Sequence, residues 1–534
     1  MWHFAYHPSL LLFSSTLVLC WVWRSGSRTR GSPPGPPTVP VIGNLHIFPK
    51  RHLQIKFSEW GSSSKQYGDI FSLKIFDQTV IVLNSPYSVR EVIDKRSLSC
   101  SNRPKSIISD MIIPRGMNLG SGRFANETWK SLRKTTAQLL SPENFNKFIG
   151  CQHSEAIQLA LDLAHDPEAW YFHIHRFTTS FATTIVYGRR SPRVNSPDVA
   201  EFLHVHPQFL CALDIGTFPP VDIFPVLRFV PERWAPWKRA VKDIRMLHNA
   251  FYGRLLRAVE DRLKQGKGNG AFMEEIITDA VNLGLNDREV LMNLGAVVIQ
   301  GSDTTSAALQ NIMLCLATNP DCQTKLQEEL DQVVGGERVP NADDLQHLPY
   351  LKAFIEECNR FRPVGPLGLP HEMSDDEVVD GLLFEKDGMF HDERYFDQPE
   401  KFDPDRFLRN KFGVKEGVQD DPGRRSNLLF GGGRRVCPGI TFARSSMEIC
   451  TAITAWAFQI LPAMNTTTGE LILPNLDDYT HGITATPKPC KLRIIPRSPQ
   501  YIDIIQRSFS EATANFVPYE AELDQEGINS KCQI

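Results

Sequence analysis

The stretch "DREVLMNLGAVVIQGSDTTSAALQNIMLCLATNP", from Asp287 to Pro320, constrains the fold more than any other. It keeps helical periodicity far beyond the mean helix of about 11–12 residues. It is apolar nearly all round, so it predicts a helix crossing the middle of the protein. Midway along it comes a polar break, "QGSDTTS", from Gln300 to Ser306. Asp303 and Thr304 are poor choices there for stability, because both side chains compete for backbone hydrogen bonds. One explanation is a kink at Gly301 with a satisfied threonine. The other is chemistry.

The rest of the body, from about residue 50 to 495, shows no low-complexity break and no repeat. Helical periodicity recurs in "NAFYGRLLRAVEDRLKQ" (Asn249 to Gln265) and "PDCQTKLQEELDQVVG" (Pro320 to Gly335). Strand-like pieces are short: "DIFSLKIF", "TVIVLNS", "DEVVDGLLF" and "CKLRIIPR". The expected architecture is mainly α with small β-sheets, in a single large domain over 41–497. After about Arg497 the chain turns polar and acidic, which predicts a loosely ordered tail over 498–534.

The N-terminus "MWHFAYHPSLLLFSSTLVLCWVW" carries no Asp, Glu, Lys or Arg. A helix from about Phe4 to Trp23 is roughly 30 Å long at 1.5 Å rise, which matches a bilayer core. Trp21 and Trp23 suit the interface, and Arg24, Arg28 and Arg30 follow at once. Basic residues after the apolar run, rather than before it, favour an uncleaved signal-anchor over 1–24 with the body in the cytosol. The proline-rich "GSPPGPPTVPVIGN" that follows cannot continue a helix and reads as an ordered hinge over 25–40.

A net charge of −3 implies no bulk attraction to nucleic acid. The eleven cysteines include no CxxC pair, which argues against a zinc ribbon, and their odd number argues against a disulfide scaffold. One of them stands apart. "FGGGRRVCPG", Phe430 to Gly439, sets a thiol between a bare cationic loop and the helical pattern "ITFARSSMEICTAITAWAF". Pro438 biases Cys437 to extended backbone. A helix N-terminus then lowers the thiol pKa and favours the thiolate. Gly431, Gly432 and Gly433 permit positive φ and let backbone approach a flat ligand. Arg435 could pair with a carboxylate on that ligand, and Phe430 could shield the sulfur.

This F-x-x-G-x-R-x-C-x-G spacing resembles the haem-thiolate signature of the cytochrome P450 family. The resemblance implies that haem b is the cofactor, that Cys437 is its axial iron ligand, and that Phe430, Gly433, Arg435 and Gly439 surround it. Asp303 and Thr304 resemble the family's acid-alcohol pair on the oxygen side, Thr304 as the hydroxyl and Asp303 as the proton relay. Gln300 stands where the family usually has Ala or Gly. It lies one turn before Asp303 and Thr304, so it crowds the haem or contacts the substrate. Trp129 and Arg133 in "WKSLR", and His371 in "GLPHEMSDD", fall where relatives hold haem propionates. Glu357 and Arg360 in "EECNRFRP", with Arg406 in "FDPDRF", match a structural ion network. The implied substrate pocket draws on Met111, Ile113, Val297, Gln300, Val364, Leu367 and Ile483.

One feature departs from the family. Only "EKDGMF" (Glu385 to Phe390) bridges "DEVVDGLLF" and "HDERYFDQPEKF", where a turn and a further strand are expected. The shortfall is on the order of ten residues, and a lost strand leaves costly unpaired backbone groups. Either the sequence around 384–391 comes from an imperfect gene model and the protein is an inactive haem protein, or the segment makes a shortened strand. The resemblance implies a monooxygenase that inserts one atom of O2 into a lipophilic small molecule, such as a fungal polyketide-derived aromatic. Electrons would come from NADPH through an NADPH-cytochrome reductase at the endoplasmic reticulum membrane. Desaturation or ring coupling on the same scaffold is the alternative chemistry. Lys130, Lys134, Arg424, Arg425 and Arg434 are the candidate docking points for the reductase.

Overall fold

Asp287 caps the helix that the long apolar run predicts: its Oδ1 accepts the backbone N–H groups of Glu289 at 2.8 Å and Val290 at 3.4 Å. The helix runs without interruption through Gly301 and stops at Thr318, because Asn319 precedes a proline and leaves the helical region (φ −128°, ψ 70°). The computed structural model describes Thr16, Arg24 and residues 26–49, 53–63, 67–214, 216–374, 393, 395–418, 428–480 and 482–521. The anchor segment 1–24 (Thr16 and Arg24 apart), the shortened stretch 384–391, Arg424 and Arg425 lie outside the described residues. Among the described residues no helix is long and apolar enough to cross a membrane.

The elements that build the site are, in chain order, strands β1 (Ile70–Ile75) and β2 (Gln78–Leu83), then helices α1 (Ile107–Ile112), α2 (Glu127–Leu139), α3 (Ile149–His165), α4 (Trp170–Tyr187), α5 (Pro197–Leu213) and α6 (Pro236–Lys264). The long helix is α7 (Arg288–Thr318), followed by α8 (Pro320–Val333) and α9 (Pro349–Phe361). The C-terminal part holds α10 (Ile440–Ala457), β3 (Phe458–Met464), β4 (Leu471–Ile472), β5 (Leu492–Pro496) and α11 (Pro499–Ala512). β1 and β2 pair antiparallel, Ile70 opposite Leu83. The second sheet is antiparallel in the order β4-β3-β5. β3 follows α10 with no glycine or proline between Ala457 and Phe458, so no local signal marks the change from helix to strand.

The apolar core divides along α7. Val290 to Ile299 pack with α1, α5 and α6 in one cluster. Ala307 to Ala317 pack with α3, α4, α8, α9 and α10 in another. The residues between them, 300–306, belong to neither, and they are "QGSDTTS". The polar break in the sequence is therefore the seam between two halves of the core. α7 also packs against α2 and α10, the helices on either side of the cysteine loop.

The proline-rich run is ordered, as expected, and is stitched into the body: Ser72 N–H donates to Pro34 O at 2.7 Å and Asn44 Nδ2 to Pro37 O at 2.9 Å. Arg28 donates to Ser72 Oγ at 2.9 Å and Pro36 O at 2.9 Å. One expectation needs correction: the tail is not loose over its first part. α11 packs on α3, burying Ile504 and Ile505. Beyond it Phe516 is 1% exposed, with the Arg190 guanidinium 3.4 Å from its ring centroid. Its polar composition hid an amphipathic helix whose apolar face is narrow.

Candidate active site

Cys437 is held by its own loop. Its backbone N–H donates to Phe430 O at 2.8 Å, closing the turn around Gly431, whose φ is +77°. Gly433 has φ +54°, and a Cβ there would come within 2.4 Å of Ile93 O. Gly433 is thus required by close packing on residues 90–94, where its N–H also meets Asp94 Oδ1 at 2.9 Å. This differs from the expectation that the glycine serves approach to a ligand. Gly439 caps α10 and directs its N–H at the Cys437 sulfur. That contact and Arg133 both favour the thiolate, yet burial outweighs them and pushes the thiol up. The helix start thus favours the thiolate, as the sequence expects, while burial opposes it.

Three guanidiniums surround this loop. Arg435 is buried and donates to Ser101 O at 2.7 Å and Gly122 O at 2.7 Å, while lying 3.8 Å from the Trp129 ring centroid. Arg103 donates to Gly120 O at 3.0 Å and to Leu369 O and Pro370 O at 2.7 and 2.6 Å. Arg133 donates to Val436 O. Burial pushes Arg435 down to about 9, with Arg103 and Arg133 adding repulsion; Arg103 is pushed down to about 10, again by burial first. Among the described residues no carboxylate pairs with any of the three. Close cations satisfied only by carbonyls form a cradle for an anion. Arg103 was missed in the sequence, where "SNRPKS" carries no motif.

Trp129 is buried on α2 and its indole N–H is taken by Leu119 O at 3.0 Å, so it supports Arg435 by stacking. His371 donates Nδ1–H to Cys100 O at 2.7 Å, beside the Arg103 segment. Phe430 is half-buried against the core next to α10. On α7, Thr304 is exposed although it sits midway along a mostly buried helix, and its Oγ1 donates to Gly301 O at 2.9 Å. A Cβ at Gly301 would meet no heavy atom within 4 Å. Asp303, one residue earlier, is 14% exposed, and burial raises its carboxyl to about 6. A half-buried thiol, a cationic cradle beside it and an open strip on the central helix fit a flat, dianionic, metal-bearing group such as haem.

Glu357, Arg360 and Arg406 come together in the interior. Arg360 grips Glu357 in a fork at 2.7 and 2.9 Å, Arg406 Nε lies 3.2 Å from Glu357 Oε2, and Asp403 N–H completes the carboxylate at 2.7 Å. The pocket candidates divide. Met111, Val297, Gln300, Leu367 and Ile483 are partly exposed, whereas Ile113 and Val364 are buried. Leu367 packs toward the β1–β2 hairpin, and Val364 O receives Ala485 N–H at 2.7 Å. Lys130, Lys134 and Arg434 are exposed, Arg434 lying 6.0 Å from the Phe124 ring just ahead of α2.

The model of the family Cytochrome P450 matches residues 33–492. The chain belongs to the cytochrome P450 family. It is 36% identical to a cytochrome P450 monooxygenase of Armillaria gallica over 97% of this chain and 99% of that one. It is 34% identical to a cytochrome P450 monooxygenase of Rhodocybe pseudopiperita over 91% and 93%. A solved zebrafish cytochrome P450 with progesterone superposes with a TM-score of 0.65 at 23% identity, covering 83% of this chain and 99% of that chain, which shows the shared fold. This P450 is therefore an oxidoreductase of the monooxygenase type, and its family implies a haem-iron cofactor.

Proposed function

We propose that this P450 inserts one atom of O2 into a lipophilic small molecule, a fungal secondary metabolite such as a polyketide-derived aromatic. Electrons come from NADPH through an NADPH-cytochrome reductase. The observation that carries the reading is Cys437 set beside the cradle of Arg103, Arg133 and Arg435. Haem, when bound through Cys437, supplies the oxygen-activating redox chemistry. The guanidiniums of Arg133 and Arg435 would hold the propionates, and Arg103 would add positive potential. The apolar side chains of Met111, Val297, Leu367 and Ile483 exclude water from a lipophilic substrate, while Gln300 offers it an amide. Thr304 presents a hydroxyl, and Asp303, whose carboxyl is raised to about 6, accepts and releases a proton near neutral pH.

The reading also places the enzyme on the endoplasmic reticulum membrane with its body in the cytosol. The apolar run Ser9 to Trp23 supports this. So does the surface beside Gly26. Gly26 N–H donates to Phe76 O at 2.8 Å, and the Phe76 ring lies 4.8 Å from Phe224. Phe224, Val226, Phe229 and Trp234 are exposed there, with Arg228 and Arg233 over the last two rings at 4.6 and 4.2 Å. Aromatic side chains flanked by arginine suit an anionic lipid interface. Lys130, Lys134 and Arg434 suit an acidic reductase.

The test is reconstitution with haem, a reductase, NADPH and labelled dioxygen. One labelled oxygen atom in the product supports the proposal. Product formed without label identifies desaturation or coupling instead. NADPH use that no candidate lipophile stimulates overturns the substrate class.

A further inference from the structure

Where α4, α5 and α6 pack against α7, three histidines are buried: His175, His206 and His248. His206 is 4% exposed and stacks on Phe202 with ring centroids 4.9 Å apart. Its Nε2 lies 3.8 Å from Asp303 Oδ2. Its Nδ1 is buried with no partner among the described residues. That asymmetry decides the tautomer. A buried N–H with no acceptor costs more than an idle lone pair beside apolar groups, so the proton belongs on Nε2, facing the carboxylate.

The ring is neutral at physiological pH, because burial, with His248 and His175 as further opposition, pushes its pKa down to about 3. The other groups facing Asp303 are Tyr171 on α4 and Tyr252 on α6, both pushed up by burial and both neutral, with Gln300 and Thr304 on α7 itself. No lysine or arginine pairs with Asp303 among the described residues. An arginine in place of His206 would hold the carboxylate ionised through the whole working range. At 3.8 Å the pair lies beyond hydrogen-bond distance, so a neutral Nε2–H acts on the carboxylate as a nearby dipole and favours ionisation only weakly, which keeps proton exchange possible near pH 7.

We propose that His206 is a positioning residue for Asp303: its Nε2–H faces the carboxylate, orients it, and tunes its proton affinity from a separate helix. The proposal rests on Asp303 acting as the proton relay of the reaction, and it adds the partner that makes the relay adjustable.

The experiment is an infrared titration of the carboxylic acid C=O stretch in the haem-loaded full chain, with Asp303→Asn identifying the Asp303 band. Wild-type protein should titrate near pH 6. His206→Phe keeps the stacked ring and removes the donor, and should raise the midpoint by about one pH unit, a tenfold change in proton affinity. His206→Gln restores an N–H donor and should fall between the two. An unmoved midpoint in His206→Phe overturns the proposal. Should that variant not fold, nitrogen NMR of wild-type His206 decides: an Nε2–H tautomer across pH 5–8 supports it, and an Nδ1–H or charged ring overturns it. The relay reading fails separately, if Asp303→Asn leaves the coupling of NADPH use to product unchanged whatever the titration shows.

Discussion

The guanidinium of Arg435 lies 3.8 Å from the ring centroid of Trp129, joining the cysteine loop to α2. Arg435 also donates to Ser101 O and Gly122 O. One side chain thus fastens the thiol-bearing loop to the walls of the cradle while keeping its charge for an anion.

Arg435→Ala should weaken haem retention more than it weakens the fold. The lost charge-assisted contact is worth about 1.5–3 kcal/mol, or roughly 10–100-fold in haem release. The orphaned carbonyls are partly offset by relief of repulsion with Arg103 and Arg133. Arg435→Lys should be intermediate, because a point charge cannot replace the planar fork. Haem transfer to an excess of an acceptor globin measures this.

Glu357→Gln should destabilise the body by about 3–5 kcal/mol, since it neutralises the carboxylate that two buried guanidiniums share. Denaturant unfolding of the purified protein should show it, with the other partners Asp403 N–H and Lys401 O still in place.

Much of this was legible in the sequence, for identifiable reasons. The central helix was readable because its apolar pattern is long. The cysteine loop was readable because a ten-residue spacing of Phe, Gly, Arg and Cys has few other uses. Arg103 was not, since a lone arginine before proline carries no periodicity and gains its place largely through contacts 266 and 267 residues away along the chain. His206 was not, because one histidine on an apolar helix face looks like packing until Asp303 is seen beside it. The thiol of Cys437 went up rather than down because burial, which sequence does not report, outweighs the helix terminus.

Phe516→Ala should cost about 3–5 kcal/mol, the usual range for a fully buried ring, and should free the segment after α11. Arg190 would keep its ion pairs with Glu155 and Glu520. Limited proteolysis beyond Ala512 and thermal unfolding together check the outcome. A loose tail predicts no change in either.

His248→Gln should make the protein less sensitive to acid. Burial, with Arg245 acting in the same sense, pushes His248 down to about 4 in the folded state. The unfolded residue takes up its proton below about 6.5. Its contribution to stability is therefore complete above pH 6.5 and is lost as pH falls to about 4, at about 1.4 kcal/mol per pH unit. The variant should flatten the stability profile by that slope over this interval, read from denaturant unfolding at successive pH values.

The most direct measurement is the reduced, carbon monoxide-bound absorption spectrum of the haem-loaded protein beside its Cys437→Ser variant. The account predicts a red-shifted thiolate Soret band in the wild type and its loss in the variant, with Arg435 and the cradle intact in both. A wild-type band at the position of a histidine-ligated haem, or the same spectrum from both proteins, would contradict it.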